Sequence, residues 1–350
     1  MPRASAIARQ WNFRLPITAL AVNRRGDAVL AALGDGSFRL LPAHDEAEQP
    51  QEKSGHDGVS LSLHPDADDH AFLSGGDDGR VLIIEEAMSA PTPLAAHKNQ
   101  WIDHVATAAQ GHRAYNVGKN VHLLDQAGQP VGAPRPTPSS PGGLAFSPNG
   151  KRLAVSHYNG VTLWWTNAKE SAPVKLAWKG SHLPVLWHPD GKIVITSMQE
   201  GALHGWQLAD GKEMQMQGYA TKIRSLGFTA RGRYLATGGA DRVICWPFFG
   251  GGPWGKTPLT LGGGDARLVT QVAPHPKDEM IAAGYDDGMM ILAPLDGRME
   301  MLLHPPVGEH SGVVGMAWNA AGDCLFAAHE NGMLSMFTLD SVSRAVKSGF

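Results

Sequence analysis

The sequence predicts an all-β protein in which repeated antiparallel units close into a ring. Three observations support this: similar segments recur about every 42 residues, short alternating apolar runs are separated by Pro, Asn and Gly, and the 350 residues include 42 Gly and 24 Pro. Alternating runs between such turns are typical of antiparallel strands joined by hairpins. One unit alone leaves its edges and an apolar face uncovered, so the units must stack on one another.

The repeat is clearest in GGLAFSPNGKRLAVSHYNGVTLWWT, residues 142–166. A first alternating run leads to the turn Ser147-Pro148-Asn149-Gly150, a second run leads to Asn159-Gly160, and a third run ends at Trp165. Each copy therefore predicts three strands, and a fourth strand is expected in the segment before the next copy.

Eight copies are readable, and we expect one domain over residues 1–350. Their second turns align with spacings of 40 to 46 residues. The aligned positions are Gly36, Gly79, Asn120, Gly160, Gly201, Arg242, Gly288 and Gly332. The expected repeats cover approximately residues 17–57, 58–100, 101–141, 142–181, 182–221, 222–268, 269–312 and 313–340.

In period and turn pattern, nearly the whole chain resembles the WD-repeat β-propeller family. The resemblance lies in turns such as 147–150 and 188–191, and in Trp165, Trp206 and Trp246 at the ends of third strands. The signature Trp-Asp dipeptide is missing from every repeat, so no functional subfamily follows. The resemblance implies a single closed propeller of eight four-stranded blades, with seven as the alternative. It also implies that residues 4–13 close the last blade, leaving 341–350 as a tail.

Composition disfavours several partners and locations. With 30 basic and 33 acidic residues and no dense Lys/Arg block, the chain is not expected to bind nucleic acid. Cys245 and Cys324 are too few for a disulfide framework, which favours the cytoplasm. No apolar run approaches the roughly 18 residues that span a bilayer. We expect no cofactor, and the oligomeric state stays open, with a monomer favoured.

Residues 250–257, GGGPWGKT, match the phosphate-binding pattern G-x-x-x-x-G-K-[ST]. That motif requires a helix after its last residue, yet Gly262-Gly263-Gly264 follows, and each Gly costs about 1 kcal/mol in a helix relative to Ala. We therefore predict a Gly-rich hairpin leading into an outer strand at 257–261 and no enzymatic activity, with nucleotide hydrolysis as a remote alternative. Trp254 either packs on its own blade or contacts a partner.

The resemblance implies a protein-interaction scaffold or adaptor, because such propellers usually bind peptides on the face towards which second strands end. The residues just before the second turns should form a rim there, suited to an extended peptide carrying basic residues. The predicted rim residues, together with Trp254 on its separate insertion, are Asp77, Lys119, His157, Tyr158, Gln199, Tyr285, Asp286, His329, Glu330 and Trp254.

Sixteen histidines raise a metal-binding or metal-homeostasis role as the alternative function. The best local candidate is HPDADDH, with His64, Asp66, Asp68 and His70, although its spacing matches neither a zinc motif nor an EF-hand loop. Most other histidines fall in blade turns. The resemblance implies that His56 hydrogen-bonds Asp78 within its own blade.

Overall fold

The computed structural model describes residues 6–44, 49–168, 172–263 and 267–342, which form thirty β-strands. The first fifteen strands are β1 Arg9–Asn12, β2 Ile17–Val22, β3 Ala28–Leu33, β4 Phe38–Pro42, β5 Gln51–Lys53, β6 Ser60–Pro65, β7 Ala71–Gly76, β8 Arg80–Glu85, β9 Thr92–Ala96, β10 Val105–Thr107, β11 Arg113–Val117, β12 Asn120–Leu124, β13 Arg135–Pro136, β14 Gly143–Phe146 and β15 Arg152–Trp165.

The second fifteen complete the chain. They are β16 Val174–Trp187, β17 Ile193–Met198, β18 Ala202–Gln207, β19 Glu213–Met216, β20 Leu226–Phe228, β21 Tyr234–Thr237, β22 Val243–Pro247, β23 Leu259–Leu261, β24 Val269–Pro274, β25 Met280–Tyr285, β26 Met290–Pro294, β27 Met301–His304, β28 Val313–Trp318, β29 Cys324–His329 and β30 Met333–Thr338.

The strands form seven antiparallel sheets, six with four strands and one with six. The prediction of eight blades is therefore not confirmed, and the difference lies at repeats four and five, which share the six-stranded sheet. β16 runs without interruption from one into the other: Val174 pairs with Leu163, whereas Trp187 pairs with Val194. Elsewhere, residues outside any strand separate consecutive repeats, as they do between β5 and β6.

Repeat four keeps its own hairpin inside β15. Asn159 adopts a left-handed conformation with φ 66°, and the Thr166 N–H donates to the Lys151 carbonyl at 3.1 Å. The chain therefore reverses between Lys151 and Thr166. Asn tolerates positive φ better than most residues, which explains the tight reversal there.

The inner strands build the ring. β28 packs beside β2, β2 beside β6, β6 beside β10 and β10 beside β14, while β20 and β24 lead back to β28. β1 pairs with β30, so the N-terminal strand lies at the outer edge of the last repeat's sheet. Residues 4 and 5 of the expected closing strand and residues 343–350 of the expected tail lie outside the described residues.

Second strands are covered on both faces because each sheet is sandwiched between two neighbours. β3, β7, β17 and β29 are buried at every position. Such strands are apolar almost throughout rather than alternating. Polar residues at the ends of these strands are therefore buried too, unless they already belong to the turn that follows.

Antiparallel strands place alternate connections at the same end of the sheet. We call the end with the loops between second and third strands the second-turn face, and the opposite end the first-turn face. The Gly-rich octapeptide follows the third strand β22, so it belongs to the first-turn face.

Candidate functional site

The second-turn face carries most of the predicted rim. Lys119, Tyr158, Gln199, Asp286 and Glu330 are exposed there, and Tyr158 retains 57% of its accessible surface. Asp77 is at the same turn position of repeat two but is half-buried. The structure thus places six of the ten predicted residues on this face.

One backbone hydrogen bond recurs at four of these positions. The N–H groups of Asp77, Gln199, Asp286 and Glu330 each donate to a carbonyl in the segment before the inner strand of the same repeat, at 2.9 to 3.1 Å. In two repeats the bond is reciprocated by the side chain. Asp77 Oδ1 accepts the Val59 N–H at 2.8 Å, and Asp286 Oδ1 accepts the Leu268 N–H at 3.0 Å. These carboxylates are held in fixed orientations, which favours a pre-organised surface.

Three predicted rim residues are corrected by the structure. His157, Tyr285 and His329 are buried, with exposures of 6%, 0% and 3%. They end second strands that neighbouring sheets cover on both sides. His157 Nε2 is 2.8 Å from Thr162 Oγ1 and His329 Nδ1 is 3.1 Å from the Ser311 carbonyl oxygen. Burial lowers the pKa of both histidines, which fits interior neutral rings.

Trp254 also differs from the prediction. Its indole Nε1–H donates to the Glu213 carbonyl at 3.0 Å, and Lys212 Nζ lies 4.1 Å from the ring centroid. Lys212 and Glu213 belong to repeat five and lie on the first-turn face. The tryptophan therefore packs between the preceding repeat and its own, against a cluster that includes Met214 and Phe248, and not at the rim.

A cleft of about 650 Å³ opens on the second-turn face where the inner strands of repeats one, seven and eight begin. We call it the channel cleft. Asp286 and Glu330 line it from repeats seven and eight, whereas Lys222 and Arg224 line it from repeat six. The remaining lining residues are Ile17, Thr18, Thr221, Gly239, Leu268, Val269, Thr270, Gln271, Gly312, Val313 and Val314. The cleft therefore presents both signs of charge beside apolar and hydroxyl side chains.

A second groove, also of about 650 Å³, lies on the same face at repeats four and five. It includes one predicted rim residue, Tyr158, together with Trp178, Glu200 and Tyr219. Trp178 stacks on the buried ring of His204, with centroids 4.0 Å apart. Three of its twelve described lining residues are aromatic, and Lys179 and Glu200 add charges of both signs. We call it the aromatic groove.

Sequence reasoning missed the polar residues that start the inner strands. Thr18, Arg224 and Thr270 each follow a buried apolar residue at the beginning of a first strand or just before it. A polar residue at this repeated position was a readable signal. Its meaning depends on the ring, because only closure brings these strand starts together.

The four weak metal candidates do not form one site. Asp66 is fully buried and accepts hydrogen bonds from Arg113 Nε and Nη2 at 2.7 and 2.6 Å. The His64 side chain is exposed to solvent. Desolvation by the surrounding protein atoms, with the charges of His104 and Arg24, nevertheless lowers its pKa to about 4. Asp68 is exposed in the turn.

His70 instead approaches Asp27 and Glu86, with their candidate ligand atoms all within 4.8 Å of one another. A guanidinium already lies against this group: Arg25 Nε is 2.6 Å from Asp27 Oδ2, and Arg25 Nη1 is 3.1 Å from His70 Nε2. Arg25 thus offsets part of the negative charge of the two carboxylates.

The phosphate-binding pattern lacks the required geometry. The octapeptide starts in a 3₁₀ turn, Phe249–Gly251, and leads into the antiparallel strand β23 at Leu259–Leu261, shorter than the predicted 257–261. Lys256 Nζ donates to the carbonyls of Phe249 and of Gly252, the latter at 2.7 Å. The loop's own backbone carbonyls therefore hold this ammonium group in place.

Comparisons with known proteins agree with this architecture. Residues 48–85 and 212–246 match the model of the WD domain, G-beta repeat. A WD repeat-containing protein 26 homolog of Arabidopsis thaliana is 33% identical over 108 residues, 29% of this chain and 18% of that protein. Telomerase protein component 1 of Rattus norvegicus is 24% identical over 159 residues, 45% of this chain and 6% of that protein. These alignments cover less than a fifth of either relative.

A computationally designed protein, Ika8, has a crystal structure that superposes with a TM-score of 0.75 at 17% identity, covering 96% of this chain and 100% of the design. This likeness concerns the fold alone. The resemblance to WD-repeat β-propellers is thereby confirmed. Among the described residues, no helix is both long and apolar enough to cross a membrane.

Proposed function

We propose that the protein is a non-catalytic scaffold or adaptor that binds a protein or peptide partner on its second-turn face. The observation that carries this proposal is the channel cleft, which several repeats line and which contains Asp286 and Glu330. A ligand in it would be held by neighbouring blades at once. The resemblance to WD-repeat propellers supports a role in protein interaction.

The proposed ligand is an extended peptide with isolated basic residues. Asp286 and Glu330 supply carboxylates for those residues, and Glu330 makes no side-chain hydrogen bond or ion pair within the described part of the chain. Lys222 and Arg224 in the same cleft would repel a long polycation. The groove around Tyr158 and Trp178 offers aromatic contact area for further side chains.

The test is a double variant, Asp286→Asn with Glu330→Lys, in the full chain. Asn keeps an oxygen for the Leu268 N–H, so the turn should persist while the charge is lost. We expect affinity for a labelled peptide with spaced lysines to fall about tenfold or more, because two favourable charge contacts are removed. Fluorescence anisotropy at low and physiological ionic strength measures the change.

The matched control is Asp68→Asn with Glu85→Lys, on the first-turn face. Asp68 also accepts a backbone N–H, from His70 at 2.9 Å, and Glu85 is exposed at the end of β8. The control variant should bind the peptide as wild type does. Equal loss in both variants would show a general charge effect and would refute the second-turn site.

We further propose the cytoplasm as the location and a monomer as the working state. The chain has two cysteines, both buried, and such sparse cysteine usage suits a reducing compartment.

A further inference from the structure

The first-turn face divides its charges between two arcs of the ring. In seven of the eight repeats the residue that immediately precedes the second strand makes the same backbone contact. Its carbonyl accepts a hydrogen bond from the residue that follows the third strand. Repeats four, five and six place Lys151, Lys192 and Arg233 at this position. Repeats one, seven and eight place Asp27, Glu279 and Asp323 there.

Further cations surround the three basic positions. Together they form what we call the basic arc, with the residues Lys151, Arg152, Lys192, Lys212, Arg231, Arg233 and Lys256. Three carboxylates lie near these seven cations among the described residues: Asp190, 2.8 Å from His188 Nδ1, Asp210, which accepts the Lys212 backbone N–H at 3.1 Å, and the exposed Glu213. Positive charge therefore dominates this side of the face.

Aromatic rings hold several of these cations. Arg152 lies 4.5 Å from the Trp165 centroid and Lys212 lies 4.1 Å from that of Trp254. Phe249 contacts two cations, Arg233 at 5.6 Å and Lys256 at 4.7 Å. Cation–π contacts restrict long side chains that would otherwise be mobile. The basic arc is thus partly pre-organised, which lowers the entropic cost of binding an anion.

A notch of about 320 Å³ lies within the arc between repeats four and five. Lys151, Arg152 and Lys192 line it beside Trp165, whose surface is 42% exposed. None of the described residues that line the notch carries a carboxylate. It is suited to a single anionic or aromatic side chain flanked by cations.

The rest of the same face limits how large the anion can be. Asp27, Asp278 and Asp323 lie on the other arc, and Asp68 and Asp69 add exposed carboxylates. Two of its cations, Arg25 and Arg298, are paired with Asp27 and Asp296 at 2.6 and 2.8 Å, whereas Lys277 is exposed. A membrane or a long nucleic acid would cover this arc as well and be repelled there. The cations of the basic arc also lie against Trp165 and Phe249, so these rings are obstructed from stacking on nucleic-acid bases.

We infer that the basic arc binds a short, extended, carboxylate-rich segment of another protein, with one of its side chains in the notch. This site lies on the face opposite the channel cleft and does not depend on it. Electrostatic complementarity would supply much of the on-rate and the specificity, so binding should weaken as salt rises.

The experiment uses the full chain and a fluorescein-labelled Glu/Gly peptide of about twelve residues, roughly 40 Å long at about 3.3 Å per residue. We expect the variant Lys151→Glu, Lys192→Glu, Arg233→Glu to lose affinity for it at least about tenfold. The matched control, Arg14→Glu, Lys98→Glu, Lys277→Glu, changes the net charge equally at exposed sites outside the basic arc. It should bind nearly as wild type does.

Circular dichroism melts establish that both triple variants are folded. Equal affinity of the two variants overturns the site. So does tighter binding of a single-stranded oligonucleotide or of anionic phospholipid vesicles that is lost in the same variant. If light scattering shows a wild-type dimer that only the basic-arc variant dissociates, the occupant is a second copy and the proposal of a foreign acidic segment fails.

Discussion

Repeats two and five share the same sequence pattern but differ in how completely their buried polar groups are hydrogen-bonded. In repeat two, His56 Nδ1 lies 2.9 Å from Asp78 Oδ1, which confirms the predicted pair, and Nε2 lies 2.9 Å from Ser74 Oγ. Arg80 Nε donates to Asp78 at 2.6 Å. Burial alone would raise the pKa of Asp78, but hydrogen bonds from the backbone and side chain of Arg80, from the Asp57 backbone and from His56 lower it to about 2.

Repeat five completes only part of this arrangement. His182 bonds Thr196 Oγ1 at 2.7 Å, yet Trp206 Nε1 and Ser197 Oγ are buried with no hydrogen-bond partner among the described residues. His204 is 1% exposed, and neither ring nitrogen has such a partner there. The Glu213 oxygen, 3.8 Å from Nε2, is too distant for a hydrogen bond. The repeat beside the aromatic groove is thus the less satisfied of the two.

The difference shows that the repeat pattern places polar residues in the interior without supplying hydrogen-bond partners for all of them. Each unpartnered buried donor or acceptor costs about 1–3 kcal/mol. Repeat two should therefore lose stability when its network is cut, whereas repeat five should tolerate or gain from removal of its orphaned groups.

The largest expected effect is at Asp66, in the first turn of repeat two. Asp66→Ala would leave the buried Arg113 guanidinium without its carboxylate, which should lower the free energy of unfolding by about 3–5 kcal/mol. Urea denaturation measures the loss. Asp68→Ala in the same turn is exposed and should cost little. Similar losses for both would show that the ion pair is not what stabilises this turn.

The next effect concerns His204 and acid. Burial, with a smaller contribution from His182, lowers the pKa of His204 to about 4. The unfolded chain therefore takes up this proton first as pH falls below about 6.5. Stability linked to His204 is present above that pH and is lost as pH falls towards 4.

His204→Phe removes this loss while leaving a ring to stack on Trp178. The free energy of unfolding of the variant, relative to that of wild type, should rise by about 2 kcal/mol between pH 8 and pH 5. Urea titrations at the two pH values measure the gain. His70→Phe replaces an exposed histidine and serves as the control. A His204→Phe variant with the wild-type pH dependence would contradict the assignment.

The smallest effect compares two serines, each fully buried. Ser74 Oγ contacts His56 and Ser60, both at 2.9 Å, so Ser74→Ala should cost about 1–2 kcal/mol. Ser197 Oγ has no hydrogen-bond partner in the described chain, so Ser197→Ala should be neutral or slightly stabilising. Thermal unfolding of the two variants measures both changes in stability. Equal destabilisation would remove the distinction between the repeats.

The sequence by itself determined the unit and its turns. The spacing near 42 residues, the Asn-Gly and Asp-Gly turns and the apolar second strands act over a few residues, so they could be read without tertiary contacts. The same local logic predicted a Gly-rich hairpin at 250–257, and the family resemblance predicted the His56–Asp78 pair.

Tertiary structure alone decided which residues reach solvent and how sheets join. Tyr285 and Asp286 are neighbours in sequence, yet one is fully buried and the other lines the channel cleft. That one-residue boundary depends on how far adjacent sheets extend over each strand. The joining of repeats four and five through β16, and the packing of Trp254 on repeat five, likewise depend on contacts between units. A pattern within one unit carries no information about those contacts, because burial is a property of the neighbours as much as of the residue.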